Sequence, residues 1–338
     1  MYGSDGLYPT QGARLENLNI SRCTRYGLFV GSMSKVMNCH FAEVRGAAAV
    51  FAAANSSLQN CTADNSSGGY GFQLLTGAKV FNCTAINSGG DGFHAGSNSL
   101  FQACVSQDNG TNGFFTAENG TLNQCKATSN GIDGFNLGSK SVLTSCSASF
   151  NTDDGFNFGS DSVLSDCVAS YNNGSAGFYG DNGNIISGCL SKHNKTFGFH
   201  LGNANTISKC IANFNGNGSD AGIDLYNGNT ISECVANENT ARGIVVNDGN
   251  FVINNVCNDN GEDGILVWGS NNRVEECQVV ENKDYGIYVL HADAKNIIVR
   301  NTAIDQPSGD GYSIPSGNKL GTIQTTPVGA GAWDNFEF

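Results

Sequence analysis

The sequence predicts an all-β solenoid, a single chain wound into about 15 stacked coils of 21–24 residues. Three observations predict it. A Gly followed by an apolar residue recurs along the whole chain, and Cys and Asn recur at fixed offsets from it. The composition, with 45 Gly, only 4 Pro and abundant Asn, Ser and Thr, leaves no window in which a helix would persist.

The repeat sets the coil. From Gly6-Leu7 to Gly311-Tyr312 there are 15 copies with a mean period of 21.8 residues. They run through Gly27-Leu28, Ala49-Val50 and Gly71-Phe72, then Gly92-Phe93, Gly113-Phe114, Gly134-Phe135, Gly155-Phe156, Gly177-Phe178 and Gly198-Phe199. Ile replaces Phe from Gly222-Ile223 to Gly286-Ile287. Between turn signals the segments are three to five residues long and alternate apolar with polar, which is strand behaviour. A period near 22 residues suits three short strands joined by three bends. Stacked, such coils form parallel sheets with strands about 4.8 Å apart.

Each repeated residue has an expected role. The Gly is expected to supply a backbone angle that other residues avoid. The seven Phe from Phe72 to Phe199 are expected to point inward and stack as one aromatic column. The closing residues Asn65, Asn87, Asn109, Asn130, Asn151, Asn172, Asn194, Asn215, Asn239, Asn260 and Asn282 are expected to bond across a bend. A Cys follows the apolar residue by 11 positions in ten consecutive copies, from Cys39 to Cys234. In the next copy Asn255 takes that place and Cys257 falls two later. The 13 Cys are an odd number and contain no C-x-x-C, so buried free thiols are expected rather than a disulfide framework or a zinc site.

With 30 acidic against 17 basic residues, the net charge is −13, which disfavours nucleic acid and anionic membrane surfaces as partners. No apolar run is long enough to insert in a membrane.

The pattern of Asn, variable turn, Gly-Phe/Ile, then Ile-x-x-Cys-x-Ala resembles the right-handed parallel β-helix repeat proteins of the pectate-lyase-like superfamily. The likeness covers nearly the whole chain, as a single domain over residues 1–321. The tail, 322–338, with Pro327, Trp333, Phe336 and Phe338, is expected to cap the last coil. The resemblance implies an extracytoplasmic protein, secreted, cell-surface or periplasmic. It would bind or modify a polysaccharide or oligosaccharide, as a lyase, hydrolase or uronate epimerase would. The alternatives are a structural or adhesive rod without chemistry, and a binding module of a larger enzyme. Fold alone does not choose among them.

Candidate site residues follow from the alternation. If Phe or Ile points inward, the next residue points out. That outward row contains His94, Phe115, Asn136 and Asn157, a candidate substrate-binding strip, and then Tyr179, His200 and Asp224. Tyr179, His200 and Asp224 would lie about 5 Å apart on three successive coils. They would supply a proton donor, an acid/base and its partner. Lys209, with Lys192 and Lys195, forms the one local basic cluster and is expected near His200. Asp133, Asp153 and Asp154 are a candidate Ca²⁺ site, because like charges one coil apart repel unless a cation or proton intervenes. The simpler reading, and the preferred one, is an Asp-Gly bend chosen for turn geometry with its charges diverging into water.

Asn151-Thr152-Asp153-Asp154-Gly155 is similar to the Asn-Thr-Asp and Asp-Asp motifs of polygalacturonase-type β-helix hydrolases. The second Asp pair is replaced by Ala176-Gly177-Phe178, and no Gly-His-Gly, Arg-Ile-Lys or Asp-Pro-His element follows. The bends are short throughout, where enzymes of the resemblance carry long loops. No signal peptide follows Met1, and the first coil is read at Asp5-Gly6-Leu7. The expectation is an excised domain, or an N-terminal coil that docks end to end or on a neighbouring domain.

Overall fold

The computed structural model describes residues 6–326 and 329–338. Asp5 of the expected first coil and Pro327 of the expected cap lie outside the described residues. No helix occurs among the described residues, and none is therefore long and apolar enough to cross a membrane. The fold is an all-β parallel β-helix of about 15 coils, as the repeat predicts. By contacts the chain falls into two compact units, Met1–Gly174 and Ser175–Phe338, built on the same plan.

In each unit a coil contributes one strand to each of three parallel sheets. In the first unit the first sheet carries the Gly-Phe strands, among them Tyr70–Leu74, Phe93–Ala95, Phe114–Thr116 and Phe135–Leu137. Their register places Phe93 beside Phe72 and Phe114, and Phe135 beside Phe114. The inward rings stack at 4.9, 4.9, 5.0 and 4.7 Å from Phe72 to Phe156, within 6° of parallel. In the second unit Phe178 and Phe199 stack at 4.6 Å. The column forms because one period of sequence returns the chain to the same place one strand higher.

The bends are held by ladders, and up to Asn301 the residue before a ladder position takes a left-handed conformation. The second sheet carries strands such as Lys79–Phe81 and the third strands such as Thr84–Ile86; at the bend between them, Asn82, Ala103, Gln124, Ser145 and Asp166 have φ of 50–53° and precede the buried Cys83, Cys104, Cys125, Cys146 and Cys167. All 13 Cys are free and buried, but not all are in the ladder. Asn255 replaces Cys there, accepting from the Cys234 N–H at 2.9 Å. Cys257 instead points inward from the third-sheet strand Val256–Asn258, opposite Val279. Cys277 rejoins the ladder and Asn301 and Asn335 continue it. Cys23 sits at the bend between third and first sheets, where its carbonyl accepts from the Arg45 N–H.

Two expectations are corrected. Asn65 and Asn87 are exposed left-handed residues, and the buried ladder positions beside them are Ser66 and Ser88. From Asn109 the expected amide ladder is present, with Asn130 Nδ2 donating to Asn151 Oδ1 at 2.9 Å. The Gly of the Gly-Phe pair does not supply a special angle, for Gly71, Gly92, Gly113 and Gly134 are absent from the positive-φ set. It supplies clearance. A Cβ on Gly113 would lie 2.6 Å from the Gly134 carbonyl oxygen and 2.8 Å from Asn130 Nδ2.

A further ladder, unread in the sequence, lines the bend between first and second sheets of the second unit. Asn184, Asn205, Asn229, Asn250, Asn272 and Asn296 are buried, and each of the first five backbone N–H groups donates to the next amide at 2.7 Å. At the C-terminal end, the strand Asn335–Glu337 pairs with Thr302–Ile304 on one side and Ile323–Gln324 on the other. The last residues of the chain thus insert out of sequence order. Tyr312 Oη donates to the carbonyls of Asn301 and Phe336, fixing that insertion.

Candidate functional site

On the outward face of the first sheet, the predicted rows are in register. In the first unit Gln73, His94, Phe115, Asn136 and Asn157 occupy successive positions. In the second unit Tyr179, His200 and Asp224 do the same. The two groups lie in different units and are described separately.

The first unit holds a groove of about 600 Å³ at the edge of this face. It exists because the stacked bends before the first sheet approach too closely for side chains. A Cβ on Gly68 or Gly69 would sit 2.0 Å from a carbonyl oxygen of the preceding coil, and one on Gly89 at 2.4 Å. Glycine is therefore required, and its missing side chains leave the depression. The groove wall is Tyr70, Asp91, His94, Thr111, Asn112 and Phe115. The three rings form one stack, Tyr70 on His94 at 4.4 Å and His94 on Phe115 at 4.5 Å.

Asp91 and His94 form a dyad. Asp91 precedes the Gly and His94 is three residues on, so the bend turns the carboxylate back to the ring. His94 Nδ1 lies 2.8 Å from Asp91 Oδ2 with hydrogen-bond geometry. The other carboxylate oxygen accepts from Thr111 Oγ1, Asn112 N–H and Asn112 Nδ2. The Asp91 side chain is 6% exposed and that of His94 32%. Burial alone would raise the Asp91 pKa, but the donors from His94, Thr111 and Asn112 outweigh it and hold the group below the usual carboxylate range. A fixed carboxylate on Nδ1 orients the imidazole and leaves Nε2 for a ligand. The same clasp recurs at Asp133 and Asn136, whose Nδ2 donates to Asp133 Oδ2 at 2.8 Å. The clasp thus belongs to the coil, and His94 is the position where it carries a titratable ring.

In the second unit, His200 Nδ1 lies 2.9 Å from Asp224 Oδ2. The ring N–H is not aimed at the carboxylate, however, and finds no partner in hydrogen-bonding geometry. The contact is a close approach without a hydrogen bond, a weaker arrangement than the Asp91–His94 bond. Tyr179 stacks on the His200 ring at 5.4 Å and 19°, so its ring packs against the imidazole face. Phe197 at 4.8 Å and Tyr226 at 5.4 Å complete an aromatic surround. Lys209 does not join this cluster. It occupies the left-handed position before Cys210, φ 54°, at the bend between second and third sheets, with Nζ 3.9 Å from Glu233.

Asp133, Asp153 and Asp154 each offer a carboxylate oxygen within 4.8 Å of the others. Burial pushes the Asp133 pKa up to about 6; the Asp154 N–H and the amides of Asn136 and Asn157 oppose the rise, and Asp153 adds to it. Three oxygens suit a hard cation that keeps water for its remaining positions. A second depression, about 630 Å³, lies in the second unit among Asp259, Glu281, Lys283 and Asp305. No aromatic ring lines it, and it holds no clasped pair such as Asp91–His94.

Sequence reasoning placed His94 and Phe115 on the outward row and Asp91 and Asn112 on the row before the Gly, but missed Tyr70 and Thr111. One available signal was the three-residue spacing of Asp91 and His94. Tyr70, which precedes Gly71 as Asp91 precedes Gly92, continues that row one coil back, so the repeat gave its place but not the turn of its ring onto His94.

Among solved structures, the chain is similar to the bacteriophage CBA120 tailspike protein 3, at 9% identity and a TM-score of 0.52, over 94% of this chain and 59% of that one. It is similar to the A-module of the Azotobacter vinelandii mannuronan C-5 epimerase AlgE6, at 15% identity and TM-score 0.45, over 85% and 90% of the two chains. It is also similar to pectate lyase Pel9A, at 16% identity and TM-score 0.44, over 72% and 70%. At these identities the likeness is one of fold. No curated protein sequence matches the chain. The model of the right handed beta helix region matches residues 6–144 and 225–323, and with three parallel sheets wound by a 22-residue repeat, the chain belongs to that right-handed β-helix family.

Proposed function

We propose that this protein binds a polysaccharide outside the cytoplasm, along the outward face of its first sheet, with the Tyr70–His94–Phe115 groove as the holding site. The groove carries the reading. It is a concave surface on otherwise regular coils, lined by aromatic rings, two side chains able to hydrogen-bond hydroxyls, and a clasped His–Asp pair. Ligand sites combine an apolar wall with a few fixed polar groups in this way. The row beyond it, Asn136 and Asn157, offers amides at one-strand spacing to further sugar units.

Chemistry on the glycan is a second reading, favoured by the proximity of His200 to Asp224. There His200 would move the proton, Asp224 would stand beside its ring, and Tyr179 would shape the site by stacking rather than donate. A structural rod without ligand is the competing account of the same coils.

An oligosaccharide and polysaccharide panel tests the proposal, with binding read by affinity electrophoresis and products by mass spectrometry. Retardation by at least one polymer, weakened about tenfold in His94→Ala and unchanged in Ser187→Ala on the second sheet, is expected. Failure of every glycan to bind refutes the proposal and leaves the rod. Product release that disappears in His200→Ala would carry the second reading; turnover that survives His200→Ala rules His200 out.

A further inference from the structure

We infer that the Tyr70–His94–Phe115 groove takes an uncharged glycan, a chain of neutral hexoses, and rejects uronate polymers; this rests on the polysaccharide reading above. No Lys or Arg lines the groove. Its one buried charge is Asp91, an anion already saturated by donors from His94, Thr111 and Asn112. A sugar carboxylate entering beside it would be desolvated next to a like charge with no Lys or Arg to meet it, which is costly in a partly buried site. A neutral sugar meets no such barrier. Its hydroxyls can both donate and accept, which matches the amides and hydroxyl of Asn112, Thr111 and Gln73.

The nearby cations do not change this. Arg25 lies over the Tyr26 ring at 5.4 Å, and Arg45 is exposed on the bend one coil before Gly68. Neither lines the groove. The outward neighbours in register with His94, Gln73 and Phe115, are neutral. The whole chain, at −13, repels a polyanion at longer range as well. The one route by which a uronate could be accepted is a cation held by Asp133, Asp153 and Asp154, so that route is built into the test.

Binding of the full chain to neutral glucan, galactan and mannan is compared with binding to polygalacturonate and alginate, in chelator and in millimolar Ca²⁺. Neutral polymer should bind equally in both conditions, with about tenfold loss in His94→Ala and in Phe115→Ala. The exposed-row variant Gln73→Lys should gain uronate binding, since it places a cation beside the groove; this readout does not depend on loss of fold. Tighter uronate than neutral binding by the natural chain overturns the inference while leaving the polysaccharide reading intact. So does Ca²⁺-dependent uronate binding that Asp133→Asn abolishes. Absence of binding to every polymer instead defeats the polysaccharide reading itself.

Discussion

Asp133→Asn should stabilise the protein at neutral pH and not at acid pH. Asp133 is 2% exposed, and burial pushes its pKa up to about 6 from an ordinary 3.8. The folded state therefore holds this proton more tightly than the unfolded chain. Below about pH 4 both states are protonated and the group costs nothing. As pH rises from about 4 to about 6, the unfolded chain ionises first and the folded state loses ground. Above about 6 the penalty is complete, at about 3 kcal/mol from 1.36 kcal/mol for each pH unit between the two values. Asn keeps its oxygen for the Asp154 N–H and removes the charge; its amide nitrogen stands where Asp133 Oδ2 accepts from Asn136, and that bond is kept when the Asn136 amide turns to present its oxygen. Urea unfolding followed by far-ultraviolet circular dichroism, in chelator, gives the stability of variant and natural chain across this range. The variant's advantage should grow from near zero at about pH 4 to about 3 kcal/mol at about pH 7. Other carboxyl groups largely cancel in the difference. An advantage that is flat with pH, or a variant less stable by the same amount throughout, would refute the reasoning. Ca²⁺, if the three carboxylates hold it, should recover the penalty at pH 7 in the natural chain only.

Further outcomes follow from the bends and the thiols. Gly113→Ala should destabilise by about 1–3 kcal/mol, because its Cβ would meet a carbonyl at 2.6 Å. Gly228→Asn should stay within about 1 kcal/mol, since its φ of 65° is open to Asn and nothing lies within 4 Å of the added Cβ. Equal effects at the two glycines, read by urea midpoints, would mean that clearance is not the reason for Gly113. Burial pushes the thiols of Cys83, Cys125 and Cys257 well up, so they stay protonated and unreactive. A thiol reagent should leave them unmodified in the folded chain and reach them on unfolding; ready modification of the native protein, mapped by mass spectrometry, would count against the burial of these thiols.

Much of the fold was legible because the solenoid makes distant contacts periodic in sequence. A residue and its copy about 22 positions on become neighbours, so the Phe72–Phe156 column, the Cys ladder and the Asn109–Asn172 ladder could be read directly. Cys257 was misleading only in part: its shift of two positions was visible, but its turn into the third-sheet core was not. The offset of Asn65 and Asn87 from the ladder escaped notice because Asn suits both a left-handed corner and the buried position after it, and composition cannot separate them.

Periodicity alone determined the coil, the inward column and the outward rows, because parallel strands in register convert spacing along the chain into position on a face. Tertiary packing decided the rest. Gly113 is required by a carbonyl of the next coil rather than by its own φ, and Gly68 and Gly89 are bare because adjacent bends nearly touch, which opens the groove. The pairing of Asp91 with His94, the stacking of Tyr70 over that ring, and the removal of Lys209 to another edge all depend on which way a bend turns its side chains. That direction is set by the coil packed beside it.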